Sequence, residues 1–235
     1  PDQALRGFAT TGNLFGIRVA LAAGADINGS EALGLASYFG KTKAVRLLLD
    51  KKADVNAVYD YYGSTPLYLA VFAHQGKTAK LLIERGADVN GHATDGEVPL
   101  HAACRHQDKH LTEFLIRAGA TIDARDRWGK TPLHVASSHA SLDNFLYLLE
   151  EAGANASLQA DDGRTALDMA RTALYPENPD ARARIITELL KRDSIPQTPT
   201  IAFSASTPPP PVNAQGAGPT TKQAPISRKM TLTIT

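Results

Sequence analysis

The chain has 235 residues, enough for one or two domains, and its 25 lysines and arginines against 24 acidic residues exert no overall pull towards nucleic acid or an anionic membrane. Cys104 is the sole cysteine, so no intrachain disulfide forms and a reducing compartment, cytoplasmic or nuclear, is expected. No apolar run reaches the roughly 18 residues of a membrane span, and the opening PDQALRGFATTG lacks a charged-then-apolar secretory pattern.

In chain order, apolar side chains recur at i, i+3, i+4 in six places. They are Ile17, Ala20, Leu21; Val45, Leu48, Leu49; Thr78, Leu81, Leu82; Leu111, Phe114, Leu115; Phe145, Leu148, Leu149; and Ile186, Leu189, Leu190. That period predicts helices. Gly24, Gly86, Gly119 and Gly153 follow four of these stripes and suit left-handed helix caps. Thr65-Pro66 and Thr131-Pro132 predict helix starts, because Thr caps free N–H groups and Pro tolerates the first helical position. Between Asn28 and Leu33 a turn is cut to GSEA, and ALYPENPDARAR, with Pro176 and Pro179, predicts a loop before the last helix. From Ser194 the text turns rich in Pro, Ser and Thr, with eight of the 14 prolines and no acidic residue. It predicts a disordered tail or linker with a polyproline piece at 208–211. Residues 1–193 and 194–235 are therefore expected to be separate domains.

Two sequence blocks alternate along the first part. One runs AGADIN to Asn28, KKADVN to Asn56, RGADVN to Asn90, AGATID to Asp123 and AGANAS to Ser157. Its alanines, Ala25, Ala53, Ala87, Ala120 and Ala154, lie 28, 34, 33 and 34 residues apart. The other block reads STPLYLAV, EVPLHAAC, KTPLHVAS and RTALDMAR. The period and the T-P-L-H-x-A signature resemble the ankyrin repeat. The resemblance covers roughly residues 4–193 in six units, the first and last irregular. It implies an all-α repeat protein, a solenoid of helix-turn-helix units joined by β-turn hairpin loops. It also places Asn56 and Asn90 at the hairpin asparagine, which some family members hydroxylate.

Several motifs mimic chemistry. GKT occurs at 40–42, 76–78 and 129–131, but the earlier glycine of a phosphate loop would fall at Leu35, Val71 and Ala124. His101, Cys104, His106 and His110 have metal-like spacing, yet His101 is the T-P-L-H histidine, which in the family braces the turn. No nucleophile elbow, zinc-protease or calcium-loop pattern occurs. No catalytic, metal or cofactor residue is expected, and the chain reads as a non-enzyme.

What an ankyrin resemblance implies is protein recognition, through the turn tips and the exposed face of each first helix. Carried over position by position, the first-helix sites include Tyr38 and Phe39, Phe72, Arg105 and His106, and His139. The tips carry Tyr61 and Tyr62, then Glu97, then Arg127, Trp128 and Lys130. Tyr59, Tyr61 and Tyr62 sit in YDYYG beside Tyr38, Phe39 and Phe72, so an aromatic patch is expected in the N-terminal half of the groove. Tyr59 reads as the extra residue of that turn. Arg105, His106, Arg127, Trp128 and Lys130 form a basic stretch further along. The expected partner is an extended segment or loop of another protein, with an apolar anchor and an acidic stretch, met by a monomer. Neither a membrane nor nucleic acid is the expected partner. Alternatives are a regulatory or targeting region of a larger enzyme or receptor and, more weakly, metal or nucleic-acid binding.

Overall fold

Short helices of two turns are marginal alone in water, so each must be capped and stacked. The computed structural model describes residues 1–59, 63–172 and 178–193, and there it shows both devices. Twelve helices form six pairs: α1 (Asp2–Thr11) with α2 (Leu14–Ala22), α3 (Ala32–Tyr38) with α4 (Thr42–Asp50), and α5 (Pro66–Phe72) with α6 (Gly76–Glu84). Then come α7 (Pro99–Arg105) with α8 (Lys109–Arg117), α9 (Pro132–Ser138) with α10 (Leu142–Leu146), and α11 (Ala166–Thr172) with α12 (Pro179–Asp193). First helices pack on first helices along the array, and second helices pack on second helices from α2 to α6 and from α8 to α12, with Lys80 of α6 over the Phe114 ring of α8 between them. Two stacked rows result, with one continuous core between them. Leu33, Leu67, Leu100 and Leu133 of the first row meet Ile17, Val45, Leu48, Leu82, Leu115 and Leu148 of the second. The chain divides near residue 196, and residues 194–235, with the expected polyproline piece, lie outside the described residues.

The caps follow from local chemistry. The Thr65 hydroxyl accepts the Tyr68 N–H at 3.2 Å, and Asp108 accepts that of Leu111 at 3.0 Å. Pro66, Pro99 and Pro132 open their helices, where no N–H is needed. Pro179 does the same for α12, with Asn178 accepting the Ala181 N–H, so this proline starts a helix and the expected loop ends before it. The rest of that loop, residues 173–177, is outside the described residues. Gly24, Gly86, Gly119 and Gly153 are left-handed, as their sequence positions imply. Lys52 takes the same conformation, φ 70°, where the second unit lacks the glycine.

Hairpin asparagines tie each unit to the next. Asn28, Asn56 and Asn90 accept the backbone N–H groups of Asp54, Asp88 and Thr121 at 2.8–2.9 Å. Asn90 also donates to the Gly119 carbonyl at 3.2 Å. Asp123 takes the equivalent place and accepts from Asn155. The fifth unit holds one residue more than the fourth between its second-helix start and its alanine. A π-helical turn over Tyr147–Glu151 absorbs it.

Candidate functional site

Histidines of the T-P-L-H blocks show how a first helix grips the next hairpin. His101 Nδ1 accepts the Val98 N–H, and its Nε2 donates to the Lys130 carbonyl of the following tip at 3.0 Å. His134 repeats this with Thr131 and the Arg164 carbonyl. Both nitrogens are occupied, so the neutral ring is required, and burial lowers both side chains' affinity for a proton. Cys104 is fully buried, and burial pushes its thiol up. No three His, Cys, Asp or Glu side chains converge as a metal site among the described residues.

Only two of the six units carry this histidine, and in the second and third units its substitutes build the groove. Tyr68 stands at that position and reaches forward to donate to Glu97 at 2.9 Å. Glu97, only 5% exposed, also receives Arg105. One unit earlier the position is Gly34. A side chain there would strike the Tyr59 ring, which comes in from the next hairpin and fills the space. The Gly34 N–H donates to the Tyr59 hydroxyl, and burial raises the phenol's pKa. Tyr59 is 7% exposed, so it is a wall of the groove and offers little free ring. It also pairs with Ser64, as Ala93 pairs with Glu97 and Asp126 with Lys130. Those pairs enclose one residue fewer, which places the added residue between Tyr59 and Ser64 and corrects the reading of Tyr59 as the insertion.

The shortened GSEA turn leaves no hairpin over α3. There a groove of about 860 Å³ opens across α3 and α5. Its floor is apolar: Leu35, Tyr38 and Phe39 from α3 and its cap, Leu69 and Phe72 from α5, with Tyr59 and Tyr68 between them. Tyr38 and Phe39 meet edge to face with centroids 5.1 Å apart, and Phe72 stacks on Tyr68 at 5.9 Å. The Arg6–Glu31 ion pair (2.8 Å) borders the groove, as do Thr94, Asp95 and Arg127. Phe39 is 45% exposed although large and apolar. Tyr38 and Phe72 are also open to solvent. Tyr61 and Tyr62, expected here as well, lie outside the described residues.

The expected basic stretch divides. Arg105 is tied to Glu97 and lies over the Phe72 ring. His106 bonds through Nε2 to the Phe72 carbonyl at 2.7 Å and meets the Phe72 ring edge on. His139 is held at its own helix end by the Val135 carbonyl. These three brace the first-helix row. Arg127 and Lys130 instead lie over the two-ring face of Trp128, at 4.7 and 5.5 Å from a ring centroid. Neither has a carboxylate within ion-pair distance among the described residues. Trp128 is 45% exposed, and its carbonyl accepts the Asp161 N–H of the next tip. Leu35, Leu69 and Tyr68 were missed as groove residues. Tyr68 carried a signal, being the residue that replaces the histidine in TPLY.

A protein-family model described as ankyrin repeats in three copies matches residues 8–93 and 90–160. Comparison with curated proteins finds none that matches. No helix among the described residues is long and apolar enough to cross a membrane.

Proposed function

The chain belongs to the ankyrin-repeat family, whose members generally act as protein-interaction modules, and from that premise we propose that it binds a segment of another protein in the groove over α3 and α5. The observation that carries this is the open aromatic floor under the missing hairpin. Tyr38, Phe39 and Phe72 stay in water there. Exposed apolar patches with a polar rim mark interaction sites, and burying one anchor side chain is worth about 1.5–3 kcal/mol. Arg127 borders the same groove, Lys130 shares the Trp128 ring with it, and neither is in an ion pair among the described residues. The ligand is therefore an extended segment with an aromatic or branched aliphatic anchor over Phe72 and acidic residues toward Trp128. One copy of the chain suffices. Glu97 and Arg105 neutralise one another, so the rim beside Phe72 adds shape more than charge.

A displayed peptide library panned on the full chain tests this reading. Selected sequences should share an apolar anchor followed by acidic positions. Binding should fall at least tenfold in Phe72→Ala and in Tyr38→Ala, and weaken with salt only through the acidic positions. Selection of peptides without an anchor, or unchanged binding by both folded variants, removes the groove as the site.

A further inference from the structure

The second helices carry a separate feature. In α4 and α6 the outward positions are Lys43, Arg46, Lys77 and Lys80, all exposed. Stacking aligns Lys43 with Lys77 and Arg46 with Lys80, and continues both rows on α2 as Phe15 and Arg18. Neighbouring helices stack about 8–10 Å apart, so five cations share one face of three helices, with no acidic residue in either row before Glu113 of α8. None of the five is in an ion pair among the described residues. At the N-terminal end Phe15 is 75% exposed, beside exposed Val19. A near-zero net charge conceals this face; its nearest carboxylates, Asp50, paired with Arg85, and Glu84, lie one turn on at the C-terminal ends of α4 and α6.

We propose that the outer face of α2, α4 and α6 docks on an anionic lipid bilayer, with Phe15 and Val19 entering the headgroup boundary and Arg18, Lys43, Arg46, Lys77 and Lys80 over the charged surface. Reversible peripheral attachment takes two signals, an apolar insertion and a polybasic patch, and both are present on one face. Nucleic acid would use the cations and leave Phe15 without a partner. Three of the five cations are lysines, compact charges on flexible stems that suit a diffuse field better than paired recognition of a peptide carboxylate. The face belongs to the second-helix row and is distinct from the groove of the first helices.

Co-sedimentation of the full chain tests it, with vesicles of phosphatidylcholine alone and of phosphatidylcholine mixed with phosphatidylserine. The chain should pellet with the anionic vesicles and be released as salt shortens the screening length to about 3 Å. The Lys43→Glu, Arg46→Glu, Lys77→Glu, Lys80→Glu variant should bind at least ~600-fold more weakly, since each of the four surface cations contributes about fivefold. Phe15→Ser should lose about tenfold with an unchanged salt dependence. Lys222, Arg228 and Lys229 are retained in every variant, so a loss maps to the helices. Should the glutamate set alter the circular dichroism, the same four positions changed to Gln replace it. The proposal is overturned by equal pelleting with both vesicle types at low salt. It is equally overturned by a folded variant that binds like the parent, or by capture on duplex DNA or polyglutamate with the vesicles ignored.

Discussion

Gly34 and Tyr59 form one packing unit made from two repeats. The glycine leaves room, the tyrosine of the next hairpin fills it, and its hydroxyl takes the free N–H of α3. Tyr59→Ala should therefore destabilise the chain by about 3–5 kcal/mol, as for other large buried aromatics. Phe39→Ala, on the open floor, should change stability by about 0.5 kcal/mol or less. Urea midpoints of the two variants check this, and equal midpoints would show that Tyr59 is not the strut. His101 and His134 set an acid limit. Their folded-state proton affinities lie below the unfolded value, so the unfolded chain binds more protons once pH drops beneath about 6.5. Stability should be complete above that pH and decline below it. A His101→Gln, His134→Gln double variant should be weaker at neutral pH but flatter between pH 7.5 and 5.5. Urea titrations at both pH values measure the difference.

Among the elements, the asparagine ladder decides how strongly units couple. Asn90 serves two backbone groups of the next unit, an N–H of Thr121 and the carbonyl of Gly119, whereas Asn28 serves only the N–H of Asp54. Asn90→Ala should cost about 1–3 kcal/mol, more than Asn28→Ala, and should broaden the unfolding transition by loosening the third unit from the fourth. Chemical denaturation of both reads this directly. Helix stripes, Thr-Pro starts and glycine caps were all legible in the residues, since they depend on neighbours within four positions. The π turn of the fifth unit was visible only as a spacing of 34, because any of several local adjustments can absorb one extra residue.

For the molecule as a whole, α2 packs on one other second helix, α4, among the described residues. Amides of α1 and α2 should exchange with solvent sooner than those of α5 to α8, which have neighbours on both sides. Hydrogen exchange followed by mass spectrometry resolves the order. The two candidate surfaces lie on opposite helix rows, so their effects should be independent. Phe72→Ala should leave vesicle binding unchanged, and Lys77→Glu with Lys80→Glu should leave peptide binding unchanged.

By itself the sequence determined the repeat, the helix pairs, the Thr-Pro helix starts and glycine caps, and the stretch in which Tyr38, Phe39 and Phe72 stay exposed. Each of these rests on local periodicity or on a position counted within one unit. Only the tertiary structure decided which of those side chains are open. Tyr59 turns inward because the preceding unit offers a glycine, Arg105 meets Glu97 eight positions away, and His106 reaches a carbonyl of the unit before it. The same holds for the outer face, where cations spread over three helices become one patch only when the helices stack. Contacts between units depend on which residues face each other across the interface, and one unit's text carries only half of that pair.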